Sequence, residues 1–154
     1  MMLKTHLAFA FLLSLVFLHF FTSNPYYFIP LACLGAFVVD VDTPHSGFGK
    51  RVRPLSWFVE FFLGHRGILH SLFAAFLLLL LSVYLFTVSY IAFAPVLGYL
   101  SHIFLDAFTP SGVAFFQPFS ERRLQGPITT GGIIEYVLFS LVVITDAYLI
   151  YIAI

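Results

Sequence analysis

Five of the six histidines lie in short polar clusters that also contain Asp, Ser, Thr or Arg. The clusters are Thr5-His6, Asp40 to Ser46, His65 to Ser71, and His102 with Asp106. Imidazole and carboxylate groups without thiolates are typical ligands of Zn²⁺, Mn²⁺ and Fe²⁺. His102 and Asp106 are four residues apart, so on a helix they share one face and can bind one ion or bridge two. The pattern therefore predicts a divalent-metal site, with zinc as the first candidate.

The candidate ligands are more numerous than the four that close a structural zinc site. They are His6, Asp42, His65, His70, His102 and Asp106. Positions 65 and 70 are about 140° apart on a regular helix, so we expect His65 on a loop and His70 on the first helical turn. The surplus of ligands is compatible with two metal ions, about 3.5–4 Å apart, that activate a water molecule.

Three more residues, Asp40, Arg66 and Glu135, are candidates for catalytic roles. At least one acid of the Asp40-Val41-Asp42 pair is expected to be a ligand, Glu135 is a candidate ligand or general base, and Arg66 could bind a substrate phosphate. Other interpretations remain open for each of them. The paired acids could cap a turn, Glu135 could complement a helix N-terminus, and Arg66 could be a topological signal. The His and Asp side chains could also tie neighbouring helices together without any metal.

The composition places these clusters in a membrane protein. Hydrophobic residues make up 61% of the chain and charged residues 9%, whereas a soluble domain has about 25% charged residues. The mean hydropathy of +1.03 excludes both a soluble cytosolic enzyme and a disordered chain. The single cysteine, Cys33, excludes an internal disulfide framework, and the seven basic residues balance seven acidic ones. No net charge therefore favours nucleic acid, and we expect a single integral membrane domain over residues 1–154.

Two long charge-free runs determine how often the chain can cross a membrane. Residues 5–39 and 67–105 contain 35 and 39 residues without Asp, Glu, Lys or Arg. As helices they would be about 50–60 Å long, against a hydrocarbon core of about 30 Å. Turn residues divide the first run at Ser23-Asn24-Pro25 and the second at 87–90. With a fifth apolar run, this predicts an all-α, polytopic membrane bundle of about five transmembrane helices. Their expected ranges are His6–Thr22, Tyr26–Val39, Ile68–Phe86, Tyr90–Ala107 and Ile133–Ile154.

The basic residues predict the orientation of this bundle. With five crossings, all seven Lys and Arg side chains fall on one side of the membrane, which the positive-inside rule assigns to the cytoplasm. Every His and acidic cluster falls at the same end of its helix. We therefore expect an integral protein of the cell membrane whose site lies at headgroup depth and faces the cytoplasm.

Four motifs follow one another along nearly the whole chain. They are Thr5-His6; Asp40-x-Asp42 with Ser46; His65-Arg66-Gly67-x-x-His70-Ser71; and Gly98-Tyr99-x-Ser101-His102-x-x-x-Asp106-x-x-Thr109-Pro110-x-Gly112. In this order they resemble the YdjM-type family of inner-membrane-associated proteins, which are described as metal-dependent hydrolases. That family is in turn distantly similar to the zinc-dependent phospholipase C and P1 nuclease group, helical enzymes whose clustered metals are held by His and Asp. The resemblance implies hydrolysis of a phosphoester.

Three functions are compatible with this sequence. The first is a membrane-bound hydrolase in which metal-activated water attacks a phosphoester of a small molecule or a lipid headgroup. The second is a non-catalytic membrane scaffold or sensor with a structural metal. The third is a subunit of a metal transporter. Transporters place ionisable residues near the membrane midplane, whereas the inner halves of the first four predicted helices carry no charge, so this function is disfavoured. The sequence favours the hydrolase, with membrane lipids as its natural partners.

Overall fold

The computed structural model describes residues 1–21, 24–42, 67–87 and 89–153. Within these ranges the chain forms five α-helices and no β-strand, which confirms the prediction of an all-α fold. The helices are α1 (Leu3–Phe21), α2 (Pro25–Val38), α3 (Leu72–Phe86), α4 (Phe93–Ala107) and α5 (Ile133–Ala153). Three short 3-10 turns accompany them: Val39–Asp42, Ile68–His70 and Tyr90–Ala92.

Polar side chains define where the helices begin. Asn24 accepts a hydrogen bond from the Tyr26 N–H at the start of α2, and Ser71 accepts one from the Ala74 N–H at the start of α3. Ser89 does the same for the Ile91 N–H before α4. Such caps satisfy backbone donors that have no partner inside the helix. The breaks predicted near residues 24 and 89 are therefore confirmed, although two helices expected from Ile68 and Tyr90 begin as 3-10 turns.

The helix lengths bear on the number of membrane crossings. Among the described residues, two helical stretches are long and apolar enough to span a membrane, Tyr90–Ala107 with 18 residues and Ile133–Ile152 with 20. The other apolar helical stretches, Leu3–Leu18, Pro25–Val38 and Leu72–Phe86, are shorter. The 14 residues of α2 and the 15 of α3 reach only about 21–23 Å. Five full crossings are thus not established by the helix lengths.

Helix α4 is the centre of the bundle, where it contacts α1, α2 and α3. The approach of α2 and α4 is closest at two glycines, since a Cβ atom on Gly98 would overlap the carbonyl group of Ala32 and one on Gly35 that of Pro95. Small residues allow such backbone contact between helices in membranes. Helix α1 packs against α2, α4 and α5, so the beginning of the chain lies inside the bundle.

The bundle buries many polar side chains beside its apolar core and exposes large apolar side chains on its outside. Its buried polar side chains include Thr5, His6, Ser14, His70, Ser71, Ser101, His102, Asp106, Thr109 and Glu135. Large apolar side chains face outward, as Leu77, Leu80 and Leu81 do on α3 and Leu141 and Ile144 do on α5. A soluble domain would bury these residues, and an outward apolar surface of this extent suits contact with lipid.

An ordered loop between α4 and α5 folds back against the end of the bundle. Val113 and Leu124 exchange a pair of backbone hydrogen bonds of 2.9 Å each. The Leu72 N–H at the start of α3 donates to the Phe115 carbonyl at 2.9 Å. The loop is therefore attached to the bundle beside the turn that carries His70.

Candidate metal centre

Three buried side chains from two helices form the core of the candidate site. His6 comes from α1, and His102 and Asp106 come from α4; one ligand atom of each lies within 4.8 Å of the others. The His6 Nε2 atom is 3.3 Å from Asp106 Oδ1. We call these three residues the core group.

Two further side chains flank the core group. His70 Nε2 is 3.8 Å from Asp106 Oδ2, and His102 Nε2 is 3.7 Å both from Asp106 Oδ2 and from Asp40 Oδ1. Two ligands bound to one tetrahedral zinc ion at about 2.0–2.1 Å lie about 3.3–3.4 Å apart. The separations in the structure, 3.3–3.8 Å, are therefore close to those of ligands around one ion.

The hydrogen bond of His102 determines which of its nitrogens can bind a metal. The Nδ1 atom lies 2.7 Å from the carbonyl oxygen of Ala36 on α2. Because a carbonyl oxygen can only accept, Nδ1 carries a proton, and in the neutral ring Nε2 is left with a lone pair. That lone pair faces the carboxylates of Asp40 and Asp106. Metal-binding histidines are commonly oriented in this way, by an N–H bond to a carbonyl or carboxylate outside the ligand shell.

The imidazole rings of the site pack directly against one another. The rings of His6 and His102 stack with centroids 3.7 Å apart and planes 6° from parallel, and His70 meets His102 edge-on at 5.6 Å. Both nitrogens of His6 and Nε2 of His102 are buried and have no hydrogen bond to any described residue. Buried polar atoms are normally satisfied. A bound cation would satisfy these nitrogens, so the residues fit a metal.

Charge and burial differ across the site. The side chains of His6, His70, His102 and Asp106 are at most 1% exposed, whereas that of Asp40 is 14% exposed. The Met1 ammonium group donates to Asp106 Oδ1 at 2.7 Å, so a cation already faces the oxygen that His6 approaches. Because it is 14% exposed, Asp40 lies on the side of the site nearest solvent. Burial raises the pKa of the Asp40 carboxyl; the nearby His102 lowers this pKa, and the nearby Asp106 raises it.

Both carboxylate oxygens of Glu135 accept hydrogen bonds from backbone N–H groups. Its Oε1 accepts the Met2 N–H at 2.5 Å and its Oε2 accepts the Gly131 N–H at 2.7 Å. The buried carboxylate thereby ties the start of the chain to the start of α5. Its role as ligand or base stays a prediction.

The remaining predicted residues fall at the edge of the described structure or outside it. Asp42 ends the 3-10 turn that follows α2, while His65 and Arg66 lie outside the described residues. The fourth sequence motif includes Tyr99 but assigns it no role; in the structure its hydroxyl donates one hydrogen bond that the carbonyl groups of Leu69 and Ser71 share. Tyr99 therefore holds the turn that carries His70. Its position one turn before His102, on the buried face of α4, was the available signal.

The fold and the site together define a class: a helical membrane protein with a buried His and Asp group at one end of its bundle that could hold a metal ion. The model of the family described as YdjM inner membrane protein matches residues 1–153. The chain therefore belongs to the YdjM family, which confirms the resemblance drawn from its motifs and its location in a membrane.

Individual relatives agree with this assignment. The chain is 38% identical over 100 residues to the inner membrane protein YdjM of Escherichia coli (strain K12), covering 60% of this chain and 50% of the relative, and equally to that of Shigella flexneri. It is 27% identical over 139 residues to the uncharacterized protein YvsG of Bacillus subtilis (strain 168), covering 86% and 84%. The match spans about half the length of the two YdjM proteins. No solved structure matches the chain significantly.

Proposed function

We propose that this chain is a membrane-bound, metal-dependent hydrolase whose centre is the core group with Asp40 and His70. The observation that carries the proposal is the hydrogen bond from His102 Nδ1 to the Ala36 carbonyl, because it aims a lone pair at two carboxylates. Zinc is the first candidate ion and Mn²⁺ or Fe²⁺ the alternatives, since the donors are imidazole and carboxylate. One or two ions would be held, depending on how many of the flanking ligands take part.

A divalent ion at this centre would supply an activated water for attack on a phosphoester. The protein's own groups would divide the remaining tasks. Asp40, the more exposed carboxylate, would accept a proton from that water, and Glu135 is the second candidate for the base. Asp42 and His65 would add ligands, and Arg66 would bind the substrate phosphate through its planar donors.

The proposed substrate is a phosphoester at the cytoplasmic surface of the membrane, with a lipid headgroup as the first candidate. In this arrangement all five helices cross the membrane, and local thinning of the bilayer accommodates α2 and α3, whose short lengths leave a mismatch. All seven basic residues then lie on the cytoplasmic side. His6, Asp40, His70 and His102 would lie at headgroup depth, which supports a lipid substrate.

The proposal is tested by comparing Asp106→Asn with a matched Asp146→Asn control. Asp146 lies on α5, eleven residues beyond Glu135 and so about 16 Å further along that helix. Purified zinc-loaded protein would be assayed in micelles with bis-p-nitrophenyl phosphate and with a phospholipid. We expect Asp106→Asn to lower turnover by at least about a hundredfold, since a ligand costs at least as much as its outer-shell partners, while Asp146→Asn stays within twofold.

Two results would contradict the proposal. Equal turnover in wild type and Asp106→Asn would remove the centre from the reaction. Stoichiometric metal in the wild type without turnover of either phosphoester would favour the scaffold or sensor, in which the metal is structural.

A further inference from the structure

An apolar cavity of about 490 Å³ runs along the outer face of α4. Leu97, Leu100 and Phe104 contribute to it from α4, and Phe9 and Leu13 line it from α1. His102 and Asp106 lie about 120–160° away from Leu100 and Phe104 around the helix. This part of the cavity therefore faces away from the metal centre, while the rest of its lining includes the buried Ser101 and Ile103 of α4 and Leu72 at the start of α3.

A second cavity of about 330 Å³ lies in the loop between α4 and α5. Arg122, Arg123 and Ser120 line it together with Phe116. Neither arginine forms an ion pair with a described acidic residue, the neighbouring Glu121 included. The backbone N–H of Arg122 donates to Ser120 Oγ at 3.4 Å, and the Arg123 guanidinium donates to the Ser111 carbonyl at 3.5 Å. Two exposed guanidinium groups thus face a cavity without a carboxylate partner.

The two cavities share one residue, Phe115, which lines both. The basic cavity lies in the loop that follows α4. The apolar cavity extends along α4 from Phe104 to Leu97, a length of about 10 Å in the direction away from that loop. Phe116 and Phe119 are 61% and 86% exposed on the same loop, and exposed Phe side chains are typical of segments that lie in the membrane interface. The combined site is therefore basic at the membrane surface and apolar toward the membrane interior.

We propose that these two cavities form one binding site for an anionic phospholipid. The lipid phosphate binds Arg122 and Arg123, and one acyl chain lies along α4 between Leu97 and Phe104. The polarity of the site indicates this occupant. An anionic phospholipid has a charged group at one end, which would meet the arginines, and an apolar chain at the other, which would lie in the apolar cavity. Arginine suits a phosphate through its planar, bidentate donors.

The site is tested by native mass spectrometry of the full chain in micelles, titrated with dioleoyl phosphatidylglycerol or dioleoyl phosphatidylcholine. The wild type should retain the anionic lipid preferentially. The Arg122→Gln/Arg123→Gln double variant should bind it about thirtyfold more weakly, roughly fivefold for each basic group. Leu100→Trp, which fills the apolar cavity, should weaken the binding of both lipids. Lys4→Gln, which removes a basic group at the same end of the bundle, serves as the control and should change affinity less than twofold.

Each alternative outcome would overturn the site. Equal affinity for the two lipids in the wild type, or undiminished affinity in the double arginine variant, would exclude headgroup recognition. Glycerol phosphate that binds as tightly as the lipid would show an anion site without a role for the acyl chain. Metal content should be unchanged in all these variants, so failure of this proposal is distinguishable from failure of the metal centre.

Discussion

The contact between Gly98 on α4 and Ala32 on α2 can be altered to test what positions the proposed metal centre, while every proposed ligand is kept. A methyl group added at position 98 would lie 2.6 Å from the Ala32 carbonyl carbon and 2.9 Å from the Ala36 nitrogen. Both atoms belong to backbone, which cannot rotate away as a side chain can. Gly98→Ala must therefore separate the two helices, at a cost of about 1–3 kcal/mol in the free energy of unfolding.

The same separation should weaken metal binding. Position 98 is one turn before His102, and the Ala36 carbonyl is 2.7 Å from His102 Nδ1, so a displacement of about 0.8 Å would break this bond. Loss of a hydrogen bond that orients a metal-binding histidine typically costs 10–100-fold in affinity. We expect the zinc Kd of Gly98→Ala to rise by about that factor, equivalent to about 1.4–2.7 kcal/mol.

The assay is a zinc titration of detergent-purified protein in competition with a chromophoric chelator, alongside thermal unfolding. Leu100→Met is the control, because it conserves volume on the outer face of the same helix and should leave the zinc Kd within twofold. If folded Gly98→Ala bound zinc as tightly as the wild type, the α2–α4 contact would not determine the geometry of the centre.

Other perturbations address the remaining parts of the structure. Glu135→Gln should lower the free energy of unfolding by about 1–3 kcal/mol. The two carboxylate oxygens accept the Met2 and Gly131 N–H groups, and the amide offers only one oxygen to replace them. An unchanged melting transition would contradict this prediction. Tyr99→Phe should lower the free energy of unfolding by about 1–2 kcal/mol and weaken zinc binding, because the hydroxyl holds the turn that carries His70. Calorimetry measures the loss of stability, and the zinc titration measures the loss of affinity. Reporter fusions within 45–60 and 115–128 should be cytoplasmic and a C-terminal fusion external, and a cytoplasmic C-terminus would exclude five crossings.

The helical architecture was predictable because its breaks are chemically distinct. Asn24 and Ser89 offer the backbone donors of a new helix a side-chain oxygen, and long apolar runs on either side leave few other places to turn. The lengths of α2 and α3 were less predictable. A charge-free run measures how much apolar chain is available, whereas the α-helix begins only where the cap forms, as at Ser71.

The proximity of His6, Asp40, His70 and His102 was predictable in outline, because their positions at helix ends bring them to one depth once the helices alternate in direction. The geometry at His102 was not, since its partner is the backbone carbonyl of Ala36, and any residue type presents a carbonyl. For the same reason sequence could not show that backbone N–H groups engage Glu135.

The five residues around the centre sit on two kinds of backbone. His6, His102 and Asp106 project from α-helices, but Asp40 and His70 project from 3-10 turns of four and three residues. Hydrogen bonds in 3-10 turns have poorer geometry than those of an α-helix, so such turns open at a lower free-energy cost than packed helices. The centre thus has a stiff half and a compliant half. In the proposed metal centre, Asp40 and His70 would approach or withdraw while the bundle kept its shape, and the coordination number of a bound ion would change with them.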